Sequence, residues 1–198
     1  MIYVVVGRNR LSKNTLVYNA YKNETYAKTQ RHNLRMRGRT IGQDSVAIRE
    51  CPDDTSYVVF ESEKNSDYRN ILEFCKTKDG AESVRDLADS IHDTYISSLD
   101  ISNEKPESSA EYRLQYNDMA IGYNFADDEK GPTKWTTDLD DIFSVMENII
   151  DAADWVGSNV FTIEAKNKDS SRGPKVKAKC GRHFSRPEHP DDLDWKSH

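Results

Sequence analysis

The sequence predicts an α+β protein: a mixed, mostly antiparallel sheet carrying three helices, built from successive strand-strand-helix units, with a polar C-terminal tail. Three observations predict it. Short apolar or alternating runs, bounded by turn residues, recur from Ile2 to Ala165. Three stretches carry apolar residues at helical spacing. Residues 169–198 differ in kind, holding Pro174, Pro187, Pro190 and two glycines with few apolar positions, and read as an extended or partly disordered tail.

Ile2–Val6 is an apolar run suited to a buried strand, and Thr15–Tyr21, rich in β-branched and aromatic residues, reads as its neighbour. Asn23 suits a helix N-cap. The helix runs to about Met36 before Gly38, with a thin apolar face of Tyr26, Ala27 and Leu34, and 45–50 returns as a strand. A second cycle reads 56–61 and 71–75 as strands. Asp79 caps a helix in it, and Val84, Leu87, Ala88, Ile91 and Tyr95 form the inner face. Residues 97–110 read as a polar loop.

In the third cycle Tyr112, Leu114 and Tyr116 alternate with polar residues, Asn117-Asp118 supplies a turn, and Met119 to Phe125 alternates on the return. Thr137 opens a helix with Asp138, Asp140 and Asp141 near its positive end. Leu139, Ile142, Phe143, Met146, Ile149, Ile150 and Ala153 form its core face, Gly157 ends it, and 160–165 is a last strand. The three cycles share an order, but sequence identity between them is not evident. Residues 1–168 are expected to form one globular domain, with a basic 1–50 and an acidic 51–168 as its subdomains where it divides.

Ten Tyr, six Phe and three Trp in 198 residues supply a real core and exclude wholesale disorder. No apolar run reaches the roughly 18 residues a membrane span requires. Ile2–Val6 lacks the basic flank of a signal peptide, so the cytoplasm is the expected compartment. Cys51, Cys75 and Cys180, odd in number and far apart, point to reduced thiols. The net charge of −6 hides a bipolar layout: residues 1–50 hold 10 Lys/Arg against 3 Asp/Glu, and residues 51–100 hold 5 against 12. Residues 101–150 hold 4 against 11, and 151–198 hold 9 against 8.

Lys28, Arg31 and Arg35 fall at i, i+3 and i+7 on the first helix. Arg37 and Arg39 follow, and Arg8 and Arg10 lie in the first loop. Such a basic face neutralises phosphates or meets an acidic protein surface, although cations near a helix C-terminus are also simply stabilising. Asp86, Asp89 and Asp93 fall on one face of the second helix, and Asp127, Asp128 and Glu129 cluster beside the third. An acidic face of this kind binds a basic groove or serves ordinary solubility. In the tail, Lys175, Lys177, Lys179 and Arg182 are basic, and Trp195 is an apolar anchor for the body of the protein or a partner.

Cys180, His183 and His189 offer three local metal ligands where a closed zinc site wants four, and no metal or cofactor is expected. Glu164-Ala165-Lys166, with Asp151 and Asp154 upstream, resembles the Glu-x-Lys half of the restriction-endonuclease-like signature over residues 151–166. That resemblance implies a metal-dependent nuclease in which Glu164 holds the ion and Lys166 steadies the attacking water. The sequence departs from the family in placing both Asp at a helix end, and a surface strand with an exposed ion pair is the preferred reading. No phosphate loop, zinc-protease motif or nucleophile elbow is present.

The expectation is a non-enzymatic interaction protein, of the accessory or inhibitor kind that phages direct at host machinery, binding through charged faces. A protein partner leads, nucleic acid held by the first helix and tail is the alternative, and self-association of opposite faces is a further option.

Overall fold

The computed structural model describes residues 1–9, 11–12, 14–37, 46–63, 69–88, 92–116, 135–152, 160–169, 176–181 and 184–197. They form an α+β fold, with three α-helices and eleven strands among the described residues. The strands lie in three sheets where the sequence suggests one. The chain divides into two compact units, Met1–Glu107 and Ser108–His198, a boundary that neither the 1–168 expectation nor its 50/51 division places.

In the first unit, β1 (Ile2–Arg8), β2 (Thr15–Tyr21), α1 (Glu24–Arg37) and β3 (Val46–Cys51) form one ββαβ motif. The first strand is central, antiparallel to β2 on one side and to β3 on the other. β4 (Tyr57–Glu63), β5 (Arg69–Cys75), α2 (Lys78–Leu87) and β6 (His92–Ser98) repeat it, with β4 central between β5 and β6. The short β7 (Ile101–Ser102) adds to β2 in parallel.

The repetition is residue for residue. Tyr3 pairs Tyr21 as Tyr57 pairs Cys75, and both hairpins slip register after their third pair, leaving Tyr18 and Leu72 as extra residues. Through the hairpin, the helix caps Asn23 and Thr77 and the buried Ala27 and Ala81, each residue lies 54 positions after its counterpart, while Ile48 and Ile96 on the closing strands are 48 apart. A bulge of this kind leaves one residue unpaired, bends the strand and sharpens its twist. Tyr3, Val5, Tyr21, Ala27 and Ile48 form one apolar cluster, and Tyr57, Val59, Cys75, Ala81 and Ile96 form its twin.

The two motifs meet back to back. Ile2, Val4, Val6 and Ala20 on the far face of β1 and β2 pack against Ile71 and Phe74 of β5. The layers therefore run α1, sheet, sheet, α2. β1 is covered on both faces, which is why Ile2–Val6 is apolar without alternation.

Several expectations change in this unit. Thr77 caps α2, not Asp79: its hydroxyl accepts from the Gly80 N–H at 3.1 Å. α2 stops at Leu87 because Ala88 is extended (φ −65°, ψ 147°), and the Thr94-Tyr95-Ile96 run forms a strand instead of a last helical turn. Leu87, expected on the inner face, is 87% exposed. The expected loop 97–110 holds the end of β6, the buried Leu99 and β7. The face of α1 that packs is wider than three apolar residues, because His32, Asn33 and Met36 are buried as well. Asn33 donates from Nδ2 to the Glu107 carbonyl at 2.8 Å.

The second unit holds β8 (Ala110–Tyr116), α3 (Leu139–Ala152), β9 (Val160–Asn167), β10 (Val176–Gly181) and β11 (Lys196–Ser197), with sheet order β11-β10-β9-β8. Tyr112, Leu114, Phe161, Ile163, Ala165, Val176, Ala178 and Cys180 are buried on one face, and α3 packs against β8. α3 opens at Leu139, with Thr136 Oγ1 accepting from Asp138 N–H and Asp138 Oδ1 from Asp140 N–H. The expected return strand 119–125, like Gly157, lies outside the described residues; the described ladder partner of β8 is β9.

The tail is structured where it is described. Val176, Ala178 and Cys180 alternate with Lys177 and Lys179, a period-2 pattern that builds a strand instead of a loose chain. A 3-10 turn at Pro190–Asp192 is capped by His189, whose Nδ1 accepts from Asp191 N–H at 3.0 Å. Trp195 is buried, stacked on Tyr112 with ring centroids 6.1 Å apart, and donates from Nε1 to the Pro190 carbonyl at 2.7 Å. No helix among the described residues is long and apolar enough to cross a membrane.

Candidate interaction surfaces

The basic face forms on α1. Asn23 Oδ1 accepts from Tyr26 N–H at 3.3 Å and fixes the start of the helix, so Lys28, Arg31 and Arg35 share one side with Arg37 beyond them. Glu24 is the helix's single acid, and it pairs with Lys28 at 3.3 Å. Lys28, Arg31 and Arg35 are half-buried, with the Nε of Arg35 inside the protein, while Arg37 is exposed. Arg8 ends β1 on a different element; Arg10 and Arg39 lie outside the described residues.

The acidic face expected on the second helix does not form, because Asp86 is on α2 and Asp93 on β6. Asp89, Asp127, Asp128 and Glu129 lie outside the described residues. The acidic face is on α3. Asp140, Asp141, Glu147 and Asp151 are exposed, and the helix carries no Lys or Arg. Asp140, Ser144, Glu147 and Asp151 fall at i, i+4, i+7 and i+11, one continuous stripe. Beside and behind it, Phe143, Met146 and Ile142 are buried. Arg186 lies against the stripe, donating from Nη2 to Asp140 Oδ1 at 2.6 Å, which raises the guanidinium pKa further.

A third surface was not legible as a unit. On the polar side of the second unit's sheet, Arg113, Glu164 and Lys177 stand directly opposite one another on β8, β9 and β10. Arg113 Nε donates to Glu164 Oε2 at 2.7 Å, and Lys177 Nζ lies 3.3 Å from Oε1. Lys166 pairs with Glu111 at 3.2 Å. Arg113 and Lys166 also sit 4.9 and 4.5 Å from the ring centre of Trp135. The expected exposed ion pair is therefore a buried one, with Glu164 only 3% exposed. The signal was the period-2 charge alternation Glu111-Tyr112-Arg113 and Glu164-Ala165-Lys166, read along single strands and not across them.

Neither a protein-family model nor a curated protein nor a solved structure matches the chain. Charge and burial carry the functional argument.

Glu164 spends both carboxylate oxygens on cations, and a divalent ion would have to displace Arg113 and Lys177 to reach it. Asp151 stands on α3 and Asp154 lies outside the described residues. No group of three or more His, Cys, Asp or Glu placed to hold a metal occurs among the described residues. His189 commits Nδ1 to the turn it caps, and His183 is outside the described residues. Cys180 is buried, and burial pushes its thiol up to about 11, well away from a reactive thiolate. In the tail, Lys177 and Lys179 belong to β10, Trp195 anchors on Tyr112, and Lys175 and Arg182 lie outside the described residues.

Proposed function

We propose that this chain is a non-enzymatic interaction protein, of the accessory or inhibitor kind, that binds a macromolecular partner through charged faces. The observation that carries the reading is the acidic stripe of α3: the exposed carboxylates of Asp140, Glu147 and Asp151, with Asp141 beside them, on a helix that carries no Lys or Arg. Glu147 and Asp151, like charges at i, i+4, cost the helix a few tenths of a kcal/mol. A partner bearing opposite charge recovers that cost and gains steering besides. The basic side of α1, with Lys28, Arg31, Arg35 and Arg37 against Glu24, favours an acidic partner in the same way.

The reading fits a protein partner for α3 and leaves α1 for an acidic protein surface or a nucleic acid. Its test is capture of partners by the full chain from native lysate, with nucleic acid digested in one arm, across a salt series. Capture should fall steeply between about 0.05 and 0.5 M salt as the Debye length shortens. A complex of unchanged affinity over that range overturns the reading.

A further inference from the structure

A groove of about 310 Å³ runs along α3 in the second unit. Phe143, Met146, Ile150 and Phe184 give it an apolar lining, and Glu147, Asp151 and Arg186 stand at its edge. Phe143 and Phe184 are stacked with centroids 6.0 Å apart.

The groove already shows how it holds a cation. The Arg186 guanidinium lies 5.5 Å from the centre of the Phe143 ring while donating to Asp140. That is one flat cation resting on an aromatic ring with a carboxylate at its edge, a combination suited to arginine because its planar fork both stacks and donates. Two and three turns further along the stripe, Glu147 and Asp151 repeat the carboxylate half beside Ile150 and Phe184. Neither Glu147 nor Asp151 forms an ion pair among the described residues. They face each other one turn apart, where a cation between them removes their mutual repulsion.

We infer that the α3 groove is the docking site for a basic, arginine-bearing peptide segment of a partner protein, whose guanidinium seats between Glu147 and Asp151 and whose apolar neighbour lies on Ile150 and Phe184. This rests on reading α3 as an interaction face and names the chemistry of what it takes. The internal Arg186 contact occupies one end of the groove and sets the register of the incoming cation. The apolar lining supplies what charge alone lacks, a preference for arginine next to an apolar side chain.

The test uses the full chain and a fluorescein-labelled peptide of alternating arginine and leucine, followed by anisotropy, with lysine and glutamate counterparts of the peptide. The arginine peptide should bind more tightly than the lysine peptide, and the glutamate peptide should not bind. Removing both carboxylates (Glu147→Gln with Asp151→Asn) should weaken binding about tenfold or more, since two charge-assisted contacts are lost. Asp141→Asn, an acid that does not line the groove, should leave affinity within about twofold. These positions are exposed, and a circular dichroism spectrum confirms that each variant is folded. Unchanged affinity in the double variant overturns the inference. An equal loss in Asp141→Asn also overturns it, since diffuse attraction then suffices, while leaving the charged-face reading intact. Salt-insensitive capture of the native partner fails that reading and not the groove.

Discussion

Ala27 and Ala81 occupy the same place in two copies of one motif: each lies four residues after its helix cap and is fully buried. Each also donates its backbone N–H to the cap residue's carbonyl, at 3.3 Å to Asn23 and 3.1 Å to Thr77. A methyl group is what the space between helix and sheet admits. Helix and hairpin sit close enough that a longer side chain would push α1 off Val5 or α2 off Val59.

Ala27→Leu and Ala81→Leu should therefore each destabilise the first unit by about 1–3 kcal/mol, the usual cost of overpacking. Urea unfolding followed by circular dichroism measures it. An effect below about 0.5 kcal/mol in both would show that the twin positions are not equivalent packing sites.

Glu164→Ala should cost about 3–5 kcal/mol, because it leaves Arg113 and Lys177 facing each other with no anion between them. Lys196→Ala breaks the Lys196–Asp194 pair, whose side chains are 71% and 81% exposed, and should change stability by less than about 0.5 kcal/mol. Thermal unfolding of the two variants beside the parent gives the contrast directly.

Trp195→Phe keeps a ring on Tyr112 but removes the donor to the Pro190 carbonyl, at a cost of about 1–3 kcal/mol. Trp195→Ala removes the ring as well and should cost about 3–5 kcal/mol. If the C-terminal segment were a loose tail, limited proteolysis would trim it from the parent chain. It should instead survive in the parent and be cut in Trp195→Ala.

Burial raises the Cys180 thiol pKa from 9.0 to about 11 and moves Cys51, Cys75, Tyr21 and Tyr112 upward as well. The folded chain keeps these protons where the unfolded chain releases them. Stability is thus fully present below about pH 9 and falls as pH rises towards 11, by about 2 kcal/mol for Cys180 alone. Denaturant titrations between pH 8 and 11 should show that decline, and Cys180→Ala, whatever its baseline, should show a shallower one.

Most elements were legible because one physical signal dominated each. Ile2–Val6 and Thr15–Tyr21 carry enough apolar and β-branched residues to name two strands, and Asn23 marks a cap by its side-chain chemistry. α2 and β6 were fused because Val84, Leu87, Ile91 and Tyr95 keep helical spacing by coincidence across an extended Ala88. The repeat escaped because its copies agree chiefly where side chains are buried or turn a corner: Tyr3-Val4-Val5 with Tyr57-Val58-Val59, Lys22 with Lys76, Ala27 with Ala81. The strand 176–181 is obscured in the sequence by its lysines, because charges at alternate positions within a Pro- and Gly-containing stretch have the composition of a solvated tail. The α3 stripe could be read only as acids near a helix start; its groove needs Phe184 and Arg186, which only the folded chain brings to α3.

The central place of β1 and β4 has a consequence for the growing chain on the ribosome. Each leads its motif, yet one flank of each stays uncovered until β3 or β6 has been synthesised on the far side of a helix. At translation speeds of about 5–20 residues per second, that is a delay of seconds in which an apolar ribbon waits half-dressed.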